Sequence, residues 1–279
     1  MLDFSINRYP KKEKMAIQLS IVIVNYNGLK HLKTCFDSID QNLTGISHEV
    51  ILVDNNSTDN SCQYLEENYP DIRLIKSKEN IGFGAGNNLG VSKAKGKAIL
   101  LLNNDTILLD HLSRALDTLY QKSTHGIVAI NMLNAEKRYL NAVGRFPTPT
   151  RLIRISFLNY NIGVFKSGRF DKQQYYVDWV TGAFMLMRKA DYLKVNGFDS
   201  DYFMYVEDVD LCKKIETIGK KCIFLPNISY IHFVGFNTKR EQLLIDGYRT
   251  YASKHFGKWG NLIANIALTI NMAVKTRLR

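Results

Sequence analysis

The sequence has no run that reaches the ~18 consecutive apolar residues a membrane-spanning helix needs. Its longest weakly polar tract, NLIANIALTINMAV at 261–274, is shorter and holds three asparagines. The opening residues, MLDFSINRYPKKEKMAIQ, lack the continuous apolar stretch of a signal peptide. The four cysteines (Cys35, Cys62, Cys212 and Cys222) form no CxxC pair, and no histidine stands at zinc-finger spacing. A disulfide framework and a structural zinc site are thereby disfavoured, and a reduced cytoplasmic protein is expected. There is no Walker A sequence. GFGAGNNLG (82–90) lacks the third glycine of a dinucleotide fingerprint, with Asn87 and Leu89 at the candidate positions. DNNSTD (54–59) begins like a calcium loop but has Asp59 where the turn needs glycine.

What is present suits one large domain with an appendage. The chain has 279 residues, 46% of them hydrophobic, with a net charge of +11. That surplus favours phosphorylated substrates, nucleic acid or an anionic membrane face. The basic residues are dispersed and no nucleic-acid module is recognisable, so a nucleic-acid partner is not expected.

Residues 1–17 read as a polar, basic arm. Then LSIVIVN (19–25), EVILVD (49–54), IRLIKS (72–77) and KAILLLN (97–103) alternate with helix-like segments. Near-continuous apolar strands separated by helices predict an α/β fold with a mostly parallel sheet covered on both faces. Beyond residue 125 the pattern is mixed. GIVAIN, YLNAVG, YVDWVTGAFMLMRK (176–189), KCIFLP and ISYIHF read as strands, 145–175 as a long loop, VEDVDLCKKIETIG (206–219) as a helix, and 239–279 as helical and basic.

Asparagine and aspartate collect at the strand ends. Asn25 and Asn27 follow the first strand, and Asp54, Asn55 and Asn56 the second. Asn80 follows the third, and Asn103, Asn104 and Asp105 the fourth. Each alone suits a turn or a helix cap. Together they fall where open α/β sheets bind ligands, beyond the carboxyl ends of the strands. Asp54 could accept a hydrogen bond from a base or ribose, and Asp105 could hold Mg²⁺ or Mn²⁺. His232 alternates with apolar neighbours and suits either a satisfied core histidine or a metal ligand beside Asp105.

At 100° per residue, Asp208 shares a helix face with Leu211, Cys212, Ile215 and Ile218, with Glu207 at its edge. Asp210 points away and pairs with Lys214, as on a solvated face. Negative charge at a helix N-terminus is stabilising by itself. A carboxylate aimed at the apolar side, with raised proton affinity, also suits a general base.

SIVIVNYNG (20–28), ILVDNNSTDNS (51–61), NIGFGAGNNLG (80–90), LLNNDT (101–106), WVTGAFMLMRK (179–189), FMYVEDVDLC (203–212) and IHFVG (231–235) occur in that order. In this the chain resembles the inverting family 2 glycosyltransferases of GT-A fold, over about residues 19–240, and within them the rhamnosyltransferase type. The resemblance implies a GT-A domain over 18–238 followed by a helical extension over 239–279. It implies that Val24, Asn25, Tyr26, Asp54, Asn80 and Asn104 surround the nucleotide sugar. Trp179, Gly182, Ala183 and Glu207 would border the acceptor, and Asp208 would be the base. LNNDT resembles the family's D-x-D metal segment, with Asn103 in place of the first aspartate, leaving Asp105 and His232 for a divalent metal. The implied donor is a UDP- or dTDP-sugar, and the implied acceptor a glycan or polyprenyl-linked hydroxyl of a bacterial surface polysaccharide. The basic tail is read either as a helical cap or as a peripheral contact with the inner face of the membrane. A sugar-phosphate nucleotidyltransferase and a non-catalytic nucleotide- or glycan-binding protein are the competing readings.

Overall fold

A computed structural model describes residues 17–159, 163–233 and 240–277. The expected N-terminal arm lies outside the described residues except for Ile17, as do Val234 and Gly235 and the boundary expected at 238–239. The apolar runs and the segments between them become β1 (Leu19–Asn25), α1 (Leu29–Asn42), β2 (His48–Asp54), α2 (Ser61–Asn68), β3 (Arg73–Lys76), α3 (Phe83–Val91) and β4 (Ala98–Asn103). Next come β5 (Thr106–Leu108), α4 (Ser113–Gln121), β6 (His125–Leu133) and β7 (Val143–Gly144). Two tight turns (Arg151–Ile153, Ile155–Leu158) and α5 (Val164–Ser167) occupy the expected long loop. Then follow β8 (Tyr175–Val177), β9 (Trp179–Val180), β10 (Phe184–Arg188), α6 (Lys189–Lys194), α7 (Glu207–Thr217), β11 (Lys221–His232), α8 (Arg240–His255) and α9 (Lys258–Arg277).

Among the described residues, nine strands form one sheet, ordered β3-β2-β1-β4-β10-β6-β11-β5, with β8 also paired to β11. β1, β2, β3, β4, β6 and β11 run the same way, and β5, β8 and β10 run against them. The sheet is therefore mostly parallel, as its apolar runs require. Both faces are covered. Ile21, Ile23, Leu100 and Leu102 pack with Leu32 and Ile39 of α1 and Leu116 of α4. Val22, Ile99 and Leu101 share the opposite core with Val91 of α3, Leu211 of α7, Tyr251 of α8 and Leu268 of α9. This two-sided burial is why neighbouring positions on each strand are apolar instead of alternating with polar ones.

Two expected strand boundaries are corrected. YVDWVTGAFMLMRK is not one strand but β8, β9 and β10. Thr181–Ala183 leave the ladder, and the Gly182 amide bonds to the Asp208 carboxylate instead, at 2.9 Å. KCIFLP and ISYIHF, conversely, belong to the single strand β11. Its pairing with β6 shifts register between Leu225 and Ser229, and this irregularity accommodates Pro226, which has no amide hydrogen to donate.

The topology sends one set of ends to one rim. β1, β2, β4 and β11 finish there. β10 runs antiparallel to β4, with Phe184 opposite Leu102, so the residues entering β10 lie there too. α7 runs back toward the start of β11, so its N-terminus faces the same rim.

Candidate active site

The rim begins with a chain of side-chain hydrogen bonds across three strand ends. Asn25 and Asp54 are register partners, and Asn25 Nδ2 donates to Asp54 Oδ1 at 2.9 Å. Asn104 Nδ2 donates to Asn25 Oδ1 at 2.6 Å. Asp54 Oδ2 accepts the Ser57 amide at 2.9 Å, and Ser57 Oγ accepts from Asn25 and from the Asn27 amide. Asn27 and Asn56 take φ values of 51° and 64°, a left-handed conformation that asparagine tolerates better than most residues. Asp59, one residue before the Asn60 N-cap, accepts from the Ser61 amide at 3.2 Å, at the start of α2. Gly28 lies so close to Asn25 and Asn104 that a Cβ there would overlap both.

Several expected nucleotide ligands therefore first hold one another. Asp54 is only 2% exposed, and Asn25 is fully buried. Asn80 Oδ1 accepts the Gly82 amide at 3.0 Å and shapes the turn into α3. Val24 is half-buried, whereas Tyr26 is 53% exposed and leaves its ring open at the rim. The glycines of GFGAGNNLG serve packing: Gly86 brings α3 against Val24, where a Cβ would sit 3.0 Å from the valine methyls.

The NND turn connects β4 to β5. Thr106 is the register partner of His232, so the preceding Asp105 meets that imidazole, with Oδ1 3.2 Å from Nε2. Asn103 Nδ2 also lies 3.2 Å from His232 Nε2, and the Asn103 amide donates to the Ala183 carbonyl at 3.1 Å. Asp105 and His232 are thus brought together as expected. Among the described residues no cluster of three His, Cys, Asp or Glu side chains forms a complete metal cage. The residues fit a divalent cation shared with a substrate: a hard carboxylate, an imidazole, and the buried Oδ1 of Asn103, which has no partner among the described residues.

Sequence reading missed His31. Its ring stacks on Phe233, with centroids 5.2 Å apart, and burial holds its pKa below the usual imidazole value, with Asp105 opposing. The available signal was its place in the first turn of the helix that follows the first strand end.

On the other side of Asn103 lies α7. Asp208 Oδ2 accepts the Gly182 amide at 2.9 Å and Oδ1 the Val209 amide at 2.8 Å. Burial raises the Asp208 pKa, and the amides of Gly182 and Val209 and the Thr181 hydroxyl partly oppose that shift. Glu207 is buried, its Oε2 has no partner among the described residues, and burial together with the Asp208 charge pushes its pKa well up. The residue before α7, Val206, has a φ of 71°, rarely tolerated by a β-branched residue. Such strain is found where a site demands a particular backbone path.

Gly182 joins this site through its amide. Ala183 contributes its carbonyl, and its side chain is buried. Trp179 is only 9% exposed and donates its indole N–H to the Arg145 carbonyl at 2.8 Å. The helical-wheel reading of Asp210 is corrected: it is 1% exposed and accepts from His255 Nε2 at 2.7 Å. α8 packs over the side that an isolated wheel leaves to solvent. Lys214 stays 3.8 Å away and donates to the Gly197 carbonyl.

A continuous path thus runs from the base candidate to the metal candidate: Asp208 to Gly182, Ala183 to Asn103, and Asn103 to His232 and Asp105. The family model for glycosyl transferase family 2 matches residues 20–194, which contain most of this rim. The chain belongs to glycosyl transferase family 2. It is a glycosyltransferase of GT-A fold. Among curated relatives, rhamnosyltransferase WbbL of Escherichia coli is 28% identical over 226 residues, spanning 76% of this chain and 82% of the relative. The N-acetylglucosaminyl-diphospho-decaprenol L-rhamnosyltransferase of Mycobacterium tuberculosis is 26% identical over 303 residues, covering 94% of each chain. Among solved structures, the mannosyltransferase PcManGT of Pyrobaculum calidifontis, in complex with GDP-Man and Mn²⁺, superposes with a TM-score of 0.60 at 16% identity, over 93% of this chain and 74% of that one. The family 2 domain covers the early strands and β10, while Asp208 and His232 lie beyond its matched end. Among the described residues no helix is long and apolar enough to cross a membrane.

Proposed function

We propose that this glycosyltransferase moves a sugar, with inversion, from a UDP- or dTDP-activated donor to a hydroxyl of a glycan or lipid-linked acceptor in bacterial surface polysaccharide assembly. dTDP-rhamnose is the foremost candidate donor, in keeping with the two relatives named as rhamnosyltransferases. The observation that carries the mechanism is the path of polar contacts from Asp208 through Gly182, Ala183, Asn103 and His232 to Asp105.

In this reading Tyr26 stacks on the base, and Asp54, with Asn25, Asn80 and Asn104, shapes the nucleoside pocket. Asp105, His232 and Asn103 hold a Mg²⁺ or Mn²⁺ ion. When bound, that ion offsets the negative charge that develops on the departing nucleoside diphosphate. Asp208 takes the proton of the acceptor hydroxyl as it attacks the anomeric carbon. Burial raises its proton affinity, and the Gly182 and Val209 amides aim the carboxylate. Glu207, Gly182 and Ala183 form the wall beside the acceptor. A single displacement needs no covalent sugar–enzyme intermediate and therefore no second nucleophilic carboxylate. A lipid-linked acceptor also implies contact with a membrane through the basic C-terminal region.

The test is incubation with a panel of UDP- and dTDP-sugars and Mn²⁺, scoring slow donor hydrolysis, then transfer to a prenyl-diphosphate sugar acceptor with the product anomer read by NMR. Turnover of one donor with inversion supports the reading. Retention, or turnover of neither nucleotide class, would overturn it.

A further inference from the structure

The C-terminal helix α9 carries two apolar faces, and among the described residues only one is packed. On the inner face, Ala264, Ala267 and Leu268 are buried in the core shared with the sheet. Asn271, also buried, donates its side-chain amide to the Ile153 carbonyl at 3.0 Å. The helix is thus held from behind and cannot roll to hide its other side. On the outer face stand Trp259, Leu262, Ile263, Ile266, Ile270 and Val274, all exposed, with Trp259 79% exposed. At 100° per residue these six fall within an arc of about 120°, centred about 130° from the middle of the buried set. They extend for about 22 Å along the helix axis. Surface helices normally turn a polar face to water, so a second apolar stripe of this size calls for a non-aqueous neighbour.

Charge identifies that neighbour. Residues 247–279 contain six Lys and Arg and no Asp or Glu. Lys258 precedes the apolar stripe, and Lys275, Arg277 and Arg279 follow it in sequence. A second copy of the chain would bring like charges together around the same patch. An apolar stripe bracketed by cations, with a tryptophan at one end, is complementary to an anionic lipid surface.

We propose that the outer face of α9 is a membrane-docking surface, lying in the headgroup region of an anionic bilayer with Trp259 and the isoleucines inserted and Lys258 on the lipid phosphates. The proposal locates on one helix face the membrane contact implied by a lipid-linked acceptor. Its test needs neither donor nor acceptor, so its failure would leave the transfer reading untouched.

The experiment uses the full chain with phosphatidylcholine vesicles, with and without phosphatidylglycerol. Trp259 is a built-in reporter, because the other tryptophan, Trp179, is buried. We expect co-sedimentation with the anionic vesicles, weakened by salt, and a blue shift of tryptophan emission quenched by brominated lipid. The double variant Ile263→Glu/Ile266→Glu should bind at least roughly tenfold more weakly. It should keep its melting temperature and its donor hydrolysis, because both side chains point away from the core. Leu193→Glu, an exposed apolar position on α6, should bind as the unmodified chain does. Three results would overturn the proposal: no pelleting with anionic vesicles, equal binding by the double variant, or a concentration-dependent dimer that Ile263→Glu/Ile266→Glu converts to monomer. The last would assign the face to a second copy.

Discussion

The Asp208 carboxylate accepts a hydrogen bond from the Gly182 amide at 2.9 Å. This contact fastens the start of the acidic helix to the loop entering β10, whose next residue, Ala183, accepts from the amide of Asn103. The base candidate is thereby aimed from two directions. Asp208→Asn can keep the oxygen that accepts from Gly182 while losing the ability to take a proton. We expect a fall in transfer of about 10²-fold or more, with nucleotide binding retained in a thermal-shift assay. Full turnover by the folded variant would refute the assignment.

Asp105→Ala removes the carboxylate nearest His232 and should weaken donor binding only when metal is present. Calorimetric titration with UDP and dTDP, with and without Mn²⁺, checks this. Equal affinities in all conditions for the unmodified chain and the variant would remove Asp105 from the metal site.

Glu207 links pH to stability. Its folded pKa is raised by burial first and by Asp208 second. Stability from its neutral form is fully present below its ordinary value of 4.5 and is lost as pH rises through the higher folded value. Glu207→Gln, which never ionises, should therefore melt higher than the unmodified protein at about pH 8, with the gap narrowing at about pH 4. A gap independent of pH would show that Glu207 is held charged.

His255→Ala leaves the Asp210 carboxylate buried without its 2.7 Å donor. We expect a loss of about 2 kcal/mol in chemical denaturation, the scale of a hydrogen bond to a charged group. Asp210→Asn should lose less, because a neutral amide is easier to bury than a carboxylate. The reverse order would show that the pair contributes little as an ion pair.

Residues 19–103 were legible because their information is local. Four apolar runs with intervening amphipathic segments permit a covered parallel sheet and little else, and topology then sends Asn25, Asp54 and Asn103–Asp105 to one rim. Helical periodicity places Asp208 on the apolar side, yet in the structure it is half-buried, less so than Glu207 and Asp210. Asp210 was misread because a wheel shows which residues share a side and not what covers that side. α8 arrives from far along the chain to bury it. Trp179 was assigned to the acceptor side by motif position alone, and only packing shows that its ring is buried and bonded to the Arg145 carbonyl.

The order of amino acids by itself determined the alternation of strand and helix, the gathering of Asn and Asp at strand ends, and the carboxylate pair at the start of α7. These follow from short-range sterics and the period of burial. Tertiary structure decided which of those polar groups are occupied with one another, that Asn103 meets both Ala183 and His232, and that α9 leaves one apolar face outward. Such facts depend on elements distant in sequence meeting in space, and no local pattern encodes which face a distant helix will cover.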